Sequence, residues 1–208
     1  MTTRITAAVL AALLAAAAPA AVLTTPATAV AQVRNASAEQ FVQTEAQAAL
    51  RTLNDRGLSM SAKRASFRRF VDTVADVPKI TRFVLGKYAR TVTPQQYAAF
   101  AGAFRVYANQ VYESRLGAYS GESFRVSGSQ SRSPTDVIVT SQVVGGAKNR
   151  QENVTWRVQR AADGRWRVVD VNVAGVWLAI TQQQDFVSTL DNNRGDINVL
   201  IAQLQGRA

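Results

Sequence analysis

Residues 154–173 have the sequence VTWRVQRAADGRWRVVDVNV, and this stretch decides the fold class. Apolar and polar residues alternate before and after Asp163-Gly164, a pattern typical of a β-hairpin with a two-residue turn. Such a turn would place Arg157 directly opposite Asp170 on the neighbouring strand. We expect these opposite charges to form a cross-strand pair that stabilises the sheet by about 0.2–1 kcal/mol.

The same period of two residues begins further upstream, immediately after Gly121. It recurs around Phe124–Val126 and through Val137–Val143, which predicts two more strands before the hairpin. The last strand, Trp166 to Val173, carries apolar residues at both odd and even positions, so we expect both of its faces to be covered. Together these segments predict a four-stranded antiparallel meander.

In the first half of the chain, apolar residues instead recur with a period of 3.6 residues, which is typical of α-helices. Its strongest signal is Thr93-Pro94-Gln95-Gln96, in which Thr93 caps a helix, Pro94 takes the first helical position and Gln96 completes a capping box. No helix-breaking residue follows until about Arg115. At about 1.5 Å per residue, this helix would be a rod roughly 30–35 Å long.

Weaker signals predict five further helices. They are a helix capped at Ser37 by the box Ser37–Gln40, a second from about Ser61, a short third with Pro78 in its first turn and Gly86 at its end, and two C-terminal helices, Leu178–Leu190 and Ile197–Leu204. The predicted fold class is therefore α+β: helices, then a four-stranded antiparallel meander, then two C-terminal helices.

The first 31 residues are typical of a signal peptide for export. Arg4 is followed by an apolar run from Ile5 to Leu23, and Ala29-Val30-Ala31 fits the small-x-small cleavage pattern. The run is close to the length of about 20 residues that spans a bilayer, but Pro19 interrupts it. We therefore predict cleavage after Ala31, with residues 32–208 forming a single domain located in the periplasm.

The composition excludes several kinds of chemistry. The 208 residues include no Cys and no His, which rules out disulfides, thiolate nucleophiles, imidazole metal ligands and Ser-His-Asp triads. No phosphate-binding loop is present, because Tyr88 follows the only Gly-Lys pair where Ser or Thr is needed. The sequence predicts no cofactor, no metal site and no enzymatic activity.

The net charge of +10 raises the question of an anionic partner. The arginines are spread along the chain, with Arg64, Arg68 and Arg69 forming the one local cluster. We therefore do not predict nucleic-acid binding; a basic surface outside the cytoplasm suits anionic lipid headgroups or an acidic partner protein. Asp72 and Asp76 share one helix face, and we interpret them as solvated charges at a helix end.

Several segments together resemble the MlaC family, also called the toluene-tolerance family. The resemblance covers Ala36 to Leu204. It is carried by Phe83–Arg90, Thr93–Gln96, Phe100, Phe104, Tyr112, Leu116, Tyr119, Gly121-Glu122, Val154–Val158, Trp166–Val171, Gly175-Val176, Phe186 and Gly195–Ile197. Two positions depart from the family pattern: Trp177-Leu178 replaces the usual Ser-Leu, and Gln182 to Gln184 replace a Tyr-Arg pair.

The resemblance implies a periplasmic phospholipid carrier that belongs to an ABC transport system. Such a protein would exchange lipid with an inner-membrane MCE-domain ABC transporter and an outer-membrane lipoprotein–porin complex. The acyl chains would lie in an apolar cleft between helices and sheet, with the headgroup outside. We predict that this cleft is lined by Phe83, Phe100, Phe104, Tyr107, Val111, Trp156 and Val158.

Three alternatives stay open from the sequence. Some members of the family are linked to hopanoid transport, so the lipid class is not determined. An enzyme on a similar scaffold would need a buried acid–base pair, for which no candidate stands out. A basic adaptor protein without a ligand would have a solid core, because aromatic residues at helical spacing are as typical of a filled core as of a cavity.

Overall fold

The computed structural model describes residues 34–113, 121–145 and 150–206, and the α+β class is confirmed. The predicted signal peptide, residues 1–31, and the predicted end of the long helix lie outside these ranges. None of the described helices is long and apolar enough to cross a membrane. The helices are α1 (Ala36–Asn54), α2 (Met60–Val74), α3 (Val77–Val84), a 3-10 helix (Gly86–Arg90), α4 (Pro94–Glu113), α5 (Leu178–Asn192) and α6 (Ile197–Gly206).

The sheet is an antiparallel meander of five strands rather than the four predicted. The strands are β1 (Glu122–Ser133), β2 (Asp136–Gly145), β3 (Arg150–Arg160), β4 (Trp166–Val173) and β5 (Val176–Trp177), paired in chain order. β5 has two residues, too few for an alternating pattern to be visible in sequence. It folds back on β4 through Ala174 and Gly175, whose φ angles of 50° and 87° form the tight turn.

The β3–β4 pairing confirms the predicted register of Arg157 against Asp170 but not the predicted turn. The loop contains three residues, since the Ala161 N–H donates to the Arg165 carbonyl (2.9 Å), and Gly164 adopts a φ of 75°. The longer loop shifts the register by one residue, and a β-bulge between Arg157 and Val158 shifts it back. The predicted Arg157–Asp170 ion pair is wrong: the Arg157 guanidinium binds Asp136 on β2 instead (2.7 and 3.1 Å).

The structure confirms one of the two helix caps that the sequence predicts. At α4 the capping box is reciprocal, with the Gln96 N–H donating to Thr93 Oγ1 (3.2 Å) and the Thr93 N–H donating to Gln96 Oε1 (2.9 Å). At α1 the predicted cap is wrong, because Asn35 Oδ1 accepts the Ala38 N–H (3.0 Å). Ser37 lies inside the helix, where its hydroxyl accepts the indole N–H of Trp166 (3.1 Å).

Two separate apolar cores hold the fold together. In the first, α1 and the end of α2 pack on one face of the sheet, with Val42, Val137 and Val158 almost fully buried. In the second, α3, α4, α5 and α6 pack against one another around Phe100 and Leu200. At roughly 1.5–3 kcal/mol for each fully buried large apolar side chain, each core contributes substantially to folding.

The second core brings together two distant segments that carry the family resemblance. The Tyr88 hydroxyl donates to the Asp191 carboxylate (2.5 Å), and the Tyr88 ring lies against Gly195. Gly195 has a φ of 80°, and a Cβ at this position would lie 2.9 Å from Tyr88 Cε1. Glycine is therefore required at position 195 both by the backbone conformation and by the close approach.

The outer edge of β1 is paired with side chains of α1 instead of another strand. Gln43 Nε2 donates to the Phe124 carbonyl (3.2 Å), and the Val126 N–H donates to Gln43 Oε1 (2.7 Å). Three turns further along α1, Asn54 repeats this arrangement with the Glu122 carbonyl (3.1 Å) and the Gly121 N–H (2.9 Å). These amides satisfy edge groups that would otherwise be open to pairing with another chain.

Replacing Gln43 with alanine should lower the free energy of unfolding by about 1–3 kcal/mol, because two partly buried hydrogen bonds are lost. The measurement is urea denaturation followed by circular dichroism. Gln47→Ala is the matched control, since Gln47 is exposed on the same helix and should change stability by less than about 0.5 kcal/mol. Equal stability of the two variants would show that the β1 edge does not depend on Gln43.

Candidate functional site

A cavity of about 440 Å³ lies where helices α1 to α4 face the sheet. Strands β1 to β4 form one side of the cavity, and the first residues of α5 close one end. Most of the lining side chains are aliphatic or aromatic. The volume falls within the range of about 300–1,000 Å³ that is usual for small-molecule sites.

The lining side chains differ from core side chains in their burial. Phe100, one helical turn from the cavity, is 0% exposed, whereas Phe104, Tyr107 and Trp156 on the lining are only half-buried. Large apolar side chains inside a fold normally reach full burial through contact with their neighbours. Here the space in front of them is not filled by protein atoms, so the lining offers apolar surface to a ligand.

The structure brings four of the seven predicted site residues to the cavity: Phe104, Tyr107 and Val111 on α4, and Trp156 on β3. Their contacts with a lipid stay a prediction.

The other three predicted residues do not line the cavity. Phe100 points into the second core, where its ring stacks on Phe104 (5.8 Å between centroids) and meets Phe186 edge-on (5.7 Å). Val158 is 0% exposed within the first core. Phe83, near the end of α3, is 39% exposed on the surface. The helical period places Phe83 and Phe100 on apolar faces, and the strand alternation does the same for Val158, but neither pattern tells which face borders the cavity.

Helix α2 also lines the cavity, which the sequence did not predict. Phe67, Phe70 and Val71 all line the cavity, with the two phenyl rings 6.4 Å apart. Their spacing was visible as the apolar stripe of a second helix, and such a stripe normally packs into a core. In the structure only Val74 of α2 is fully buried, so most of this stripe borders the cavity.

Trp156 is held rigidly at the cavity by its neighbours in the sheet. Its indole N–H donates to Ser141 Oγ (2.9 Å), and this hydroxyl in turn donates to the Val154 carbonyl (2.8 Å). The Phe124 ring meets the indole edge-on at 6.1 Å. The polar end of the tryptophan is therefore satisfied within the sheet, which leaves its apolar surface for the cavity.

Two ion pairs join α2 to α4 beside the cavity. The Arg105 guanidinium contacts both oxygens of Asp72 (2.6 Å each), and Arg68 binds Glu113 in a bidentate manner (2.5 and 3.1 Å). Asp72 is therefore half of an ion pair, while Asp76 accepts the Lys79 N–H as the cap of α3. The prediction that the two aspartates share one helix face is wrong, because α2 ends at Val74 and Asp76 lies at the start of α3; both are charges at a helix end with structural partners.

Asp170 is the buried carboxylate of the cavity lining, at 7% exposure. One of its oxygens accepts the backbone N–H groups of Val171 and Ala179 (2.8 Å each), which ties β4 to the first turn of α5. Burial raises the pKa of the Asp170 carboxyl above its ordinary value, and this outweighs the lowering by the backbone donors and by Arg157. Its contacts give Asp170 a structural role at the helix N-terminus.

Charged side chains are a small part of the cavity lining. Within residues 34–113, 121–145 and 150–206, no group of three acidic side chains is placed to hold a metal ion. Three carboxylates line the cavity: Asp72 binds Arg105, Asp170 accepts backbone N–H groups, and Glu152 lies on β3. The lining therefore offers mainly apolar surface, and two of its three carboxylates have structural contacts.

The chain is similar to a known protein family and to a protein of known structure. The family model of the MlaC protein matches residues 42–206. A phospholipid-binding protein from Ralstonia solanacearum, whose structure was determined in complex with a phospholipid, superposes on the chain with a TM-score of 0.72. The two sequences are 24% identical, and the superposition covers 83% of this chain and 97% of that chain. This likeness shows a shared fold.

The raised pKa of Asp170 predicts a specific pH dependence of stability. Between its ordinary pKa of 3.8 and its higher folded pKa, the folded state binds more protons than the unfolded state, so the stability contribution of Asp170 falls as pH rises. Asp170→Asn removes this dependence. The loss of stability caused by the substitution should therefore be largest below pH 3.8 and shrink as the pH rises through the raised pKa of Asp170, as measured by urea denaturation.

Asp163→Asn provides a control of opposite sign. The backbone N–H and guanidinium of Arg165 lower the pKa of Asp163, so its stabilising contribution is present above pH 3.8 and lost as pH falls. The loss caused by Asp163→Asn should thus grow as pH rises. A loss that also grows for Asp170→Asn would mean that the backbone donors, rather than burial, control the Asp170 carboxyl.

Proposed function

Because this chain belongs to the MlaC family, we propose that it is a non-enzymatic phospholipid carrier that holds acyl chains in the cavity between its helices and its sheet. The observation that carries the proposal is the cavity of about 440 Å³ lined by half-buried apolar side chains. The phospholipid bound to the Ralstonia solanacearum protein of the same fold supports it.

The energetics of lipid transfer favour such a cavity. At about 0.8 kcal/mol per CH₂ group, exposing one long acyl chain to water costs on the order of 10 kcal/mol. A carrier needs only to match the apolar interior of the bilayer, so that extraction of the lipid is close to neutral in free energy. An apolar lining anchored by a rigid Trp156 provides that environment without specific bonds to the chain.

The volume of the cavity limits the number of acyl chains that it can hold. A cavity for two long acyl chains would approach about 1,000 Å³, the upper end of ordinary ligand sites. The observed 440 Å³ is less than half of this value. We propose that one chain occupies the space in front of Phe104 and Trp156, and that a second chain enters when α2 moves outward from α4.

The proposed role of the protein in lipid transport follows from its membership of the MlaC family. We propose that residues 1–31 direct export to the periplasm and are then removed. There the carrier would exchange lipid with an inner-membrane MCE-domain ABC transporter and an outer-membrane lipoprotein–porin complex. The direction of transport would be set by the ATPase of the transporter, since binding in the cavity is close to neutral.

The cavity also bears on the adaptor hypothesis. An adaptor without a ligand would have a solid core, and its apolar side chains would be fully buried. The half-buried Phe67, Phe70 and Tyr107 around an unfilled volume argue against that hypothesis.

Organic extraction and mass spectrometry of the natively purified protein test the proposal directly. We expect phospholipid in near-stoichiometric amount. Recovery of a hopanoid, from an expression host that makes both lipid classes, would replace the phospholipid as cargo. A folded protein without any lipid would overturn the carrier function.

Filling the cavity should displace the lipid. Val111→Trp places a large ring in the cavity and should lower the lipid-to-protein ratio about fivefold or more, since overpacking costs typically 1–3 kcal/mol. Val106→Trp is the matched control, because Val106 is 50% exposed on the same helix and does not line the cavity. Equal lipid content in two folded variants would place the lipid elsewhere.

A further inference from the structure

The connection between α1 and α2, residues 55–60, carries two large apolar side chains on the surface of the protein. Leu58 is 36% exposed, and Met60, the first residue of α2, is 41% exposed. A single exposed apolar side chain is ordinary on a protein surface. Here two of them lie within three residues, so this connection, called the α1–α2 tip below, presents a local apolar surface to solvent.

Hydrogen bonds hold the α1–α2 tip in this conformation. Asp55 Oδ1 accepts the Gly57 N–H (2.7 Å), and the side chain of Ser59 caps α2. Lys63 Nζ donates to the Leu53 carbonyl (2.6 Å), which joins the end of α1 to the start of α2. The two apolar side chains are therefore presented to solvent by an ordered turn.

Basic side chains flank the α1–α2 tip on both sides. Arg51 lies in the last turn of α1, Arg56 lies within the tip, and Arg64 follows Met60 by one turn on the same face of α2. All three arginines are exposed, and within the described residues none of them forms an ion pair. Residues 51–64 hold four basic residues against one acidic residue, so the segment carries a net charge of +3.

Exposed apolar side chains elsewhere lack such free positive charge. Val106 follows Arg105 on α4, but the Arg105 guanidinium is bound to Asp72 (2.6 Å). Val199 lies on α6, and residues 197–206 of that helix include no charged side chain. The α1–α2 tip therefore differs from these positions in combining exposed apolar side chains with unneutralised cations.

We propose that the α1–α2 tip docks the protein on the surface of an anionic phospholipid bilayer. Leu58 and Met60 enter the boundary between headgroups and acyl chains, and the flanking arginines contact the lipid phosphates. This partner fits because a bilayer offers apolar depth beneath a layer of negative charge. The inference goes beyond the proposed carrier function, since a carrier that exchanges lipid only with partner proteins needs no contact with the bilayer itself.

Vesicle binding tests the proposal on the processed protein, residues 32–208, which lacks the apolar run Ile5–Leu23. Vesicles of phosphatidylcholine alone are compared with vesicles that contain equal parts of phosphatidylcholine and phosphatidylglycerol, and the bound protein is measured by cosedimentation. Binding to the anionic vesicles should be about tenfold stronger or more at low salt. About 1 M salt should weaken it, because the Debye length falls to about 3 Å.

Removing the apolar side chains tests their insertion. The double variant Leu58→Ser and Met60→Ser should bind the anionic vesicles about tenfold more weakly, since both side chains lose apolar burial. The double variant Val106→Ser and Val199→Ser is the matched control, because these valines are similarly exposed outside the α1–α2 tip and should not affect vesicle binding. Thermal melts confirm that each variant is folded.

Removing the charges tests the contact with phosphates. The double variant Arg56→Gln and Arg64→Gln should lower binding to the anionic vesicles about tenfold or more. The double variant Arg90→Gln and Arg194→Gln removes the same net charge from two exposed arginines outside the α1–α2 tip, and it should lower binding by less than about twofold.

Two outcomes would overturn the docking proposal. Equal binding of the wild-type protein to both kinds of vesicle would leave an acidic protein surface as the partner of suitable charge. Loss of binding that is the same in the tip variants and in their controls would place the membrane contact elsewhere on the protein. The carrier function is tested separately, by the lipid content of the purified protein.

Discussion

An apolar cavity in water tends to collapse, because its lining surfaces lower their free energy by meeting each other. The fold prevents this by building the two sides of the cavity on separate cores. Val137 and Val158 anchor the sheet side beneath α1, while Phe100 and Phe186 anchor α4 within the bundle of α3 to α6. Because each side is packed independently, neither can close the gap without losing its own core contacts.

Helix α1 connects most of the features that matter in this structure. Its apolar face covers the sheet through Val42 and Ala46, while its amides at Gln43 and Asn54 satisfy the open edge of β1. The same helix also lines the cavity through Ala46, Ala49, Leu50 and Leu53. α2 is attached differently, through surface ion pairs to α4 and through few buried side chains, so it is the element that can move with least loss of packing.

Local sequence patterns predicted the main helices and strands, but they did not predict the loop between β3 and β4 or the cap of α1. The register of Arg157 against Asp170 is correct, yet it results from two deviations that cancel: a loop one residue longer than predicted and a compensating bulge. Asn35, not Ser37, caps α1, because Ser37 is used for a contact with Trp166. The MlaC resemblance rested on many short segments in order and is confirmed by the family match over residues 42–206.

The sequence by itself determined the fold class, the order of helices and strands, and the family, because periodicity and caps are local properties of the chain. It also predicted that the lipid cleft is lined by four residues that do border the cavity, Phe104, Tyr107, Val111 and Trp156. Only the tertiary structure decided that these four border a cavity while Phe100 and Val158 fill cores, and that α2 lines the site. An apolar period specifies which side chains turn away from water, but whether they meet protein atoms or an open volume depends on the distances between elements.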